Sequence, residues 1–94
     1  MARDCFAVMD ISRQFGRILR EVRVSKGLTQ EELAFRADMS VPYLSDIERG
    51  RSSPSLALIV DLALALRIHP AELVQGLDPA AARHGGERKR PKNG

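Results

Sequence analysis

The chain has 94 residues, which is the size of one ordinary domain and excludes a multidomain enzyme. Hydrophobic residues make up 44% but aromatic ones only 4%, with no Trp and a single Tyr, so any core is aliphatic. Fifteen Lys and Arg against twelve Asp and Glu leave a net charge of +3, an excess that permits an anionic partner without identifying one.

Residues 1–10 read as a short N-terminal extension. Its apolar run is too short and too acid-flanked for a signal peptide. Cys5 is the one cysteine, so an internal disulfide or a thiolate metal cage is excluded, and a reducing, cytoplasmic location is the expectation. From Ile11 onward the apolar spacing is helical. Phe15, Ile18, Leu19 and Val22 fall at i, i+3, i+4 and i+7 of a first helix that should stop at Lys26-Gly27, a cation followed by a glycine suited to the left-handed C′ position. Thr29-Gln30-Glu31-Glu32 is a capping box and opens a second helix with Leu33, Ala34 and Ala37 inward.

Ser40 is the next N-cap, followed by Pro42 in the first turn, where a missing N–H costs nothing. Leu44 and Ile47 form the buried stripe of this third helix, and Gly50 ends it. Ser53-Pro54 should begin a fourth helix with Pro at its first position. Its apolar residues Leu56, Ile59, Val60, Ala63, Leu64 and Leu66 cover more than one face, which implies a second contact surface besides the core. His69-Pro70 opens a short fifth helix holding Leu73 and Val74, with Leu77 just beyond. The longest apolar stretch, Leu56 to Leu66, contains Asp61 and falls short of the roughly 20 residues needed to span a membrane.

Residues 78–94 lack apolar periodicity and read as a flexible, disordered basic tail following a domain over 11–77. The charge is unevenly divided. Residues 1–10 carry one basic and two acidic side chains, residues 11–76 nine and eight, and residues 77–94 five and two. Most of the excess therefore lies in the tail, as phosphate attraction or as a solvated terminus. A domain this small buries only about 60% of its chain surface, which favours a homodimer.

Two short helices, Gln30 to Arg36 and Ser40 to Arg49, joined by three or four residues, have the spacing of a DNA-binding helix-turn-helix. The positions that such a motif buries are apolar here: Leu33, Ala37, Met39, Leu44 and Ile47. Ala34 supplies the small side chain at the helix crossing. Asp38 stands where the turn usually has a left-handed glycine, a conformation Asp tolerates better than most residues.

Leu28-Thr29-Gln30-Glu31-Glu32-Leu33-Ala34, then Tyr43-Leu44-Ser45-Asp46-Ile47-Glu48-Arg49-Gly50, then Pro54-Ser55-Leu56 resemble the Cro/C1-type (XRE-family) helix-turn-helix domain of phage and bacterial repressors. The resemblance covers about Phe15 to Val74. It implies an all-α, five-helix, lambda-repressor-like fold and double-stranded DNA as partner. It implies that Gln30 contacts a phosphate beside a helix N-terminus already favourable to anions. The exposed face of the third helix would lie in the major groove, making Ser40, Val41, Pro42 and Asp46 the candidate base readers. Val41 and Pro42 depart from the polar residues common there and would pack on thymine methyls. The resemblance also pairs Glu48 with Arg23 and turns Arg23 towards a phosphate.

Other roles rest on residue chemistry. Asp46 either accepts from cytosine N4 or pairs with Arg49 at i+3. Tyr43 leaves the buried stripe and reaches a phosphate or sugar with its hydroxyl. Arg49, Arg51, Ser52 and Ser53 have donors, little bulk and a following Pro, as suits a loop gripping the DNA backbone. Arg13, Arg17 and Arg20 share one face of the first helix, read as solvated. Leu64, Leu66, Ile68, Leu73, Val74 and Leu77 exceed what the core should absorb and are expected to form a dimer surface.

His69 and His84 are separated by Pro and Gly and lack companion ligands, so neither a metal site nor another cofactor is expected. No nucleophile, base and orienter stand together, so catalysis is not expected. The resulting reading is a DNA-binding transcriptional regulator, repressor-like, acting as a homodimer on a palindromic operator. Two rivals stay open: an antitoxin-like or restriction-controller-like accessory protein whose main partner is another protein, and a helical interaction module that has lost DNA binding.

Overall fold

The computed structural model describes residues 10–80. Among the described residues five helices follow one another: α1 Ile11–Ser25, α2 Gln30–Ala37, α3 Val41–Glu48, α4 Leu56–Leu66 and α5 Ala71–Val74. No strand occurs among the described residues. Cys5, His84 and the basic cluster at 83–92 lie outside the described residues, so the expectations placed on the extension and most of the tail concern that part of the chain.

The first four helix starts each follow from a local side-chain hydrogen bond. Asp10 caps α1 by accepting from the backbone N–H of Arg13 at 2.9 Å, which joins Asp10 to the domain. Thr29 and Glu32 form the reciprocal capping box of α2, with Glu32 N–H donating to Thr29 Oγ1 at 3.0 Å and Thr29 N–H to Glu32 Oε1 at 2.9 Å. Ser40 caps α3 through the N–H of Tyr43. The fourth start differs from the expectation: Ser55, not Ser53, is the cap, accepting from Leu58 N–H at 3.1 Å, and Pro54 precedes the helix. A hydroxyl directly before the apolar run satisfies an end donor that Pro54 could not, a contribution of about 1 kcal/mol per cap. The last short helix has Pro70 at its N-cap and no side-chain cap, while His69 Nδ1 just before it accepts from Ala71 N–H at 2.9 Å, a structural use of that imidazole.

Turns fall where the punctuation residues stand. Gly27 (φ +74°) and Gly50 (φ +79°) follow α1 and α3 in the left-handed region, and Asp38 ends α2 at φ +58° in the same region.

Helix α1 packs on α3 and α5, while α2 packs on α3 and α4. Phe15, Leu19, Leu33, Ala34, Ala37, Leu44, Ile47, Leu62, Ala63, Leu66 and Leu73 form the core. Each fully buried leucine or isoleucine stabilises the fold by about 1.5–3 kcal/mol. Leu62, in the middle of α4, is completely buried and was not among the apolar positions expected to matter. Met39, expected inside, is half-buried at the core edge.

Two close approaches fix α1 against its neighbours. A Cβ on Gly16 would collide with the Ile47 and Glu48 carbonyl oxygens, so only glycine lets α1 cross the end of α3 this tightly. Gln14 is buried and clamps the chain after α5: Asp78 N–H donates to Gln14 Oε1 at 2.6 Å, and Gln14 Nε2 donates to Asp78 O at 3.2 Å. These two bonds tie the backbone at Asp78 to α1.

Candidate nucleic-acid interface

The two helices of the motif are held at a fixed angle by apolar contacts on one side and a buried polar joint on the other. Leu33, Ala34, Ala37, Leu44 and Ile47 close the apolar side. Opposite them, Glu48 and Arg23 are 9% and 8% exposed and form a bidentate ion pair, Arg23 Nε to Glu48 Oε2 at 2.7 Å and Arg23 Nη2 to Glu48 Oε1 at 3.1 Å. Arg23 Nη1 donates to the Leu28 carbonyl at 2.8 Å. Removing one partner of such a pair strands a buried charge and costs about 3–5 kcal/mol.

The pairing of Arg23 with Glu48 is present, but the expected orientation of Arg23 is not. Its guanidinium is buried between Glu48 and Leu28, so the phosphate contact assigned to Arg23 is withdrawn. Gln30, the first residue of α2, is half-buried and donates through Nε2 to Glu48 Oε1 at 3.0 Å. No buried side-chain nitrogen or oxygen among the described residues lacks a partner.

Outside this joint, α3 turns an open face away from the core. Pro42, Tyr43 and Arg49 are exposed, and Asp46 is half-buried on that side. Ser40 is exposed, with its oxygen engaged as the helix cap. Val41 is half-buried and packs against the core, so less of it faces outward than expected. Asp46 forms no ion pair with Arg49 within the described residues; its carbonyl accepts from Arg51 N–H at 2.8 Å and so shapes the turn after α3.

In that turn Arg51 and Ser53 are exposed and Ser52 is half-buried. Ser12 Oγ donates to Ser53 Oγ at 3.2 Å, and the Arg13 stem lies directly over Gly50, so the start of α1 braces the loop. Arg13, Arg17 and Arg20 are all exposed along α1.

Of the side chains assigned to a dimer surface, Leu66 and Leu73 are buried within the protomer and leave that set, because α4 and α5 close the core with them. Ile68 and Leu77 are half-buried against the same core. Leu64 and Val74 remain exposed. Val60 and Leu56, one and two turns before Leu64 on α4, join them as exposed apolar side chains; both stand among the apolar residues expected to cover more than one face of this helix, but not in the expected dimer set.

Reasoning from periodicity also passed over Gln14 and Gly16. A lone glycine inside a strongly amphipathic helix is itself a signal of close backbone approach. No comparable signal marked Gln14.

A capped helix pair at a fixed angle, with one helix showing an open polar face beside an arginine-bearing loop, defines a helix-turn-helix DNA-binding protein. The chain belongs to the helix-turn-helix family HTH_3, whose family model matches residues 19–73. It is 45% identical over 60 residues to the HTH-type transcriptional regulator DdrOP3 of Deinococcus deserti, a match spanning 64% of this chain and 46% of that protein. It is 43% identical over 61 residues to the control protein C.BamHI of Bacillus amyloliquefaciens, spanning 64% of this chain and 75% of that one. Among solved structures it is similar to the restriction-modification controller protein C.AhdI from Aeromonas hydrophila, at 48% identity and a TM-score of 0.64 over 65% of this chain and 92% of that one. The chain is thus a DNA-binding regulator of the helix-turn-helix class.

Proposed function

We propose that the protein represses or otherwise regulates transcription by placing α3 in the major groove of a palindromic operator, as a homodimer whose half-sites lie about 34 Å apart. The observation that carries this reading is the combination of an open α3 face with the braced loop at Gly50–Ser53. Gln30, Tyr43, Arg49, Arg51, Ser52 and Ser53 hold the phosphate backbone, and Ser40, Val41, Pro42 and Asp46 face the bases. Asp46 has no competing ion pair with Arg49 among the described residues, which favours its role as an acceptor for cytosine N4. The second protomer covers the exposed α4 side chains Leu56, Val60 and Leu64, with Val74 at the edge.

The names of C.BamHI and C.AhdI favour a narrower form of the reading, a controller of restriction-modification genes. An endonuclease or methyltransferase gene beside this one would support it.

The test is an electrophoretic shift of the full chain on the DNA upstream of its own gene. Retardation is expected, lost on Tyr43→Ala for all sequences and re-ranked among operator variants on Asp46→Asn. Binding that ignores sequence in every variant contradicts the reading face.

A further inference from the structure

The Glu48 carboxylate serves two helices at once. Both its oxygens accept from Arg23, at 2.7 and 3.1 Å, and Oε1 also accepts from Gln30 Nε2 at 3.0 Å. Glu48 is the last residue of α3 and Gln30 the first of α2, so one buried carboxylate joins the end of one motif helix to the start of the other. A glutamine in the first turn of a helix ordinarily samples many rotamers and loses that freedom on gripping a ligand. Here one N–H of the Gln30 amide is already fixed, leaving the second N–H and the carbonyl oxygen.

We propose that Glu48 is a positioning residue for DNA binding: the guanidinium of Arg23 fixes the carboxylate, the carboxylate fixes the Gln30 amide, and the second amide N–H is presented to a backbone phosphate. The inference rests on the phosphate role of Gln30. Charge supports the arrangement. A lone carboxylate beside a phosphate would repel it, whereas the bidentate Arg23 neutralises Glu48, so the joint offers a neutral donor. Because counterion release follows neutralisation of phosphates by cations, Gln30 adds affinity without adding to the salt dependence, unlike Arg49 and Arg51.

The test is a mutant cycle read by fluorescence anisotropy on a random-sequence duplex of about 30 base pairs, since a phosphate contact ignores sequence. In the native background Gln30→Ala should weaken binding about tenfold, the scale of one hydrogen bond to a charged group, with an unchanged salt slope. In a background carrying Arg23→Met and Glu48→Leu together, which removes the joint without stranding a charge, the same change should cost less than about twofold. Glu48→Asp is a second background should the first not fold: it keeps a negative charge to compensate Arg23 but draws the shared oxygen back from Gln30 by one methylene, and the loss on Gln30→Ala should again shrink. Equal tenfold losses in all backgrounds overturn the positioning role while leaving the phosphate contact standing. No loss in the native background overturns the phosphate contact and the inference with it.

Discussion

The two sides of the domain invert the usual distribution of polarity. Where α1, α2 and α3 converge, an arginine and a glutamate lie buried with a half-buried glutamine beside them. On the outer side of α4, Leu56 and Leu64 stand 77% and 69% exposed, with Val60 between them. Polarity alone would have placed these groups the other way round. The buried charges are tolerated because each of them is hydrogen-bonded, Arg23 to Glu48 and Leu28 and Glu48 to Arg23 and Gln30. Leu56 and Leu64 sit two turns apart on one helix face with Val60 midway, as an interface requires. Two departures from the burial rule, the buried Arg23–Glu48 pair and the α4 leucines, coincide with places where partners are proposed to act; Phe35 on α2 and Val24 on α1 are exposed as well and carry no such assignment.

Breaking the polar side has the largest expected effect. Arg23→Met alone leaves Glu48 buried and uncompensated and should lower unfolding free energy by about 3–5 kcal/mol in urea titration. Adding Glu48→Leu should restore most of it; a double variant no more stable than the single one would show that the pair's worth lies in attraction rather than in mutual compensation. On the apolar side, Leu64→Ser should leave a protomer's stability within about 0.5 kcal/mol, because the side chain is exposed. It should nevertheless raise the dimer dissociation constant at least about tenfold, the scale of one apolar side chain uncovered, as followed by sedimentation. A monomer at all concentrations before the change would remove the interface from α4.

The turn between α2 and α3 joins the two sides. Asp38 holds a left-handed conformation at φ +58°, so Asp38→Gly should stabilise the fold by about 0.5–1 kcal/mol in thermal unfolding. The smallest effect belongs to Glu32. Its hydrogen bond from the Thr29 backbone N–H holds the carboxyl below its ordinary value of 4.5. A depressed acid contributes stability that is fully present above the ordinary value and is lost as pH falls through the lower folded one. Acid titration of the Thr29 and Glu32 amide resonances should therefore show the capping box opening below pH 4.5, and Glu32→Gln should abolish that transition.

Much of this architecture is legible in the sequence because capping is local chemistry. Thr29 with Glu32, Ser40, Asp38 and Gly27 each act within a few residues, and their geometry follows from residue type. The start of α4 was misplaced because two serines flank Pro54 and either satisfies the capping pattern. Burial on α4 was harder still. Leu62, Leu64 and Leu66 are chemically identical, yet the first and last close the core and the middle one faces out, a choice made by the crossing of α4 over α2. At the site, the resemblance was enough to pair Glu48 with Arg23, but the inward turn of Arg23 depends on the Leu28 carbonyl, a backbone atom whose position no side-chain pattern encodes.

In the proposed complex DNA meets the α2–α3 side and leaves the α4 face free for protein. Backbone amide shifts of the isotope-labelled full chain, titrated with a short duplex from upstream of its own gene, test it most directly. Perturbations are expected at Gln30, at Ser40–Tyr43 and Asp46, and through Arg49–Ser53, with Val60 and Leu64 unmoved by DNA. Shifts gathered along Leu56, Val60 and Leu64, with the α3 face silent, would contradict it.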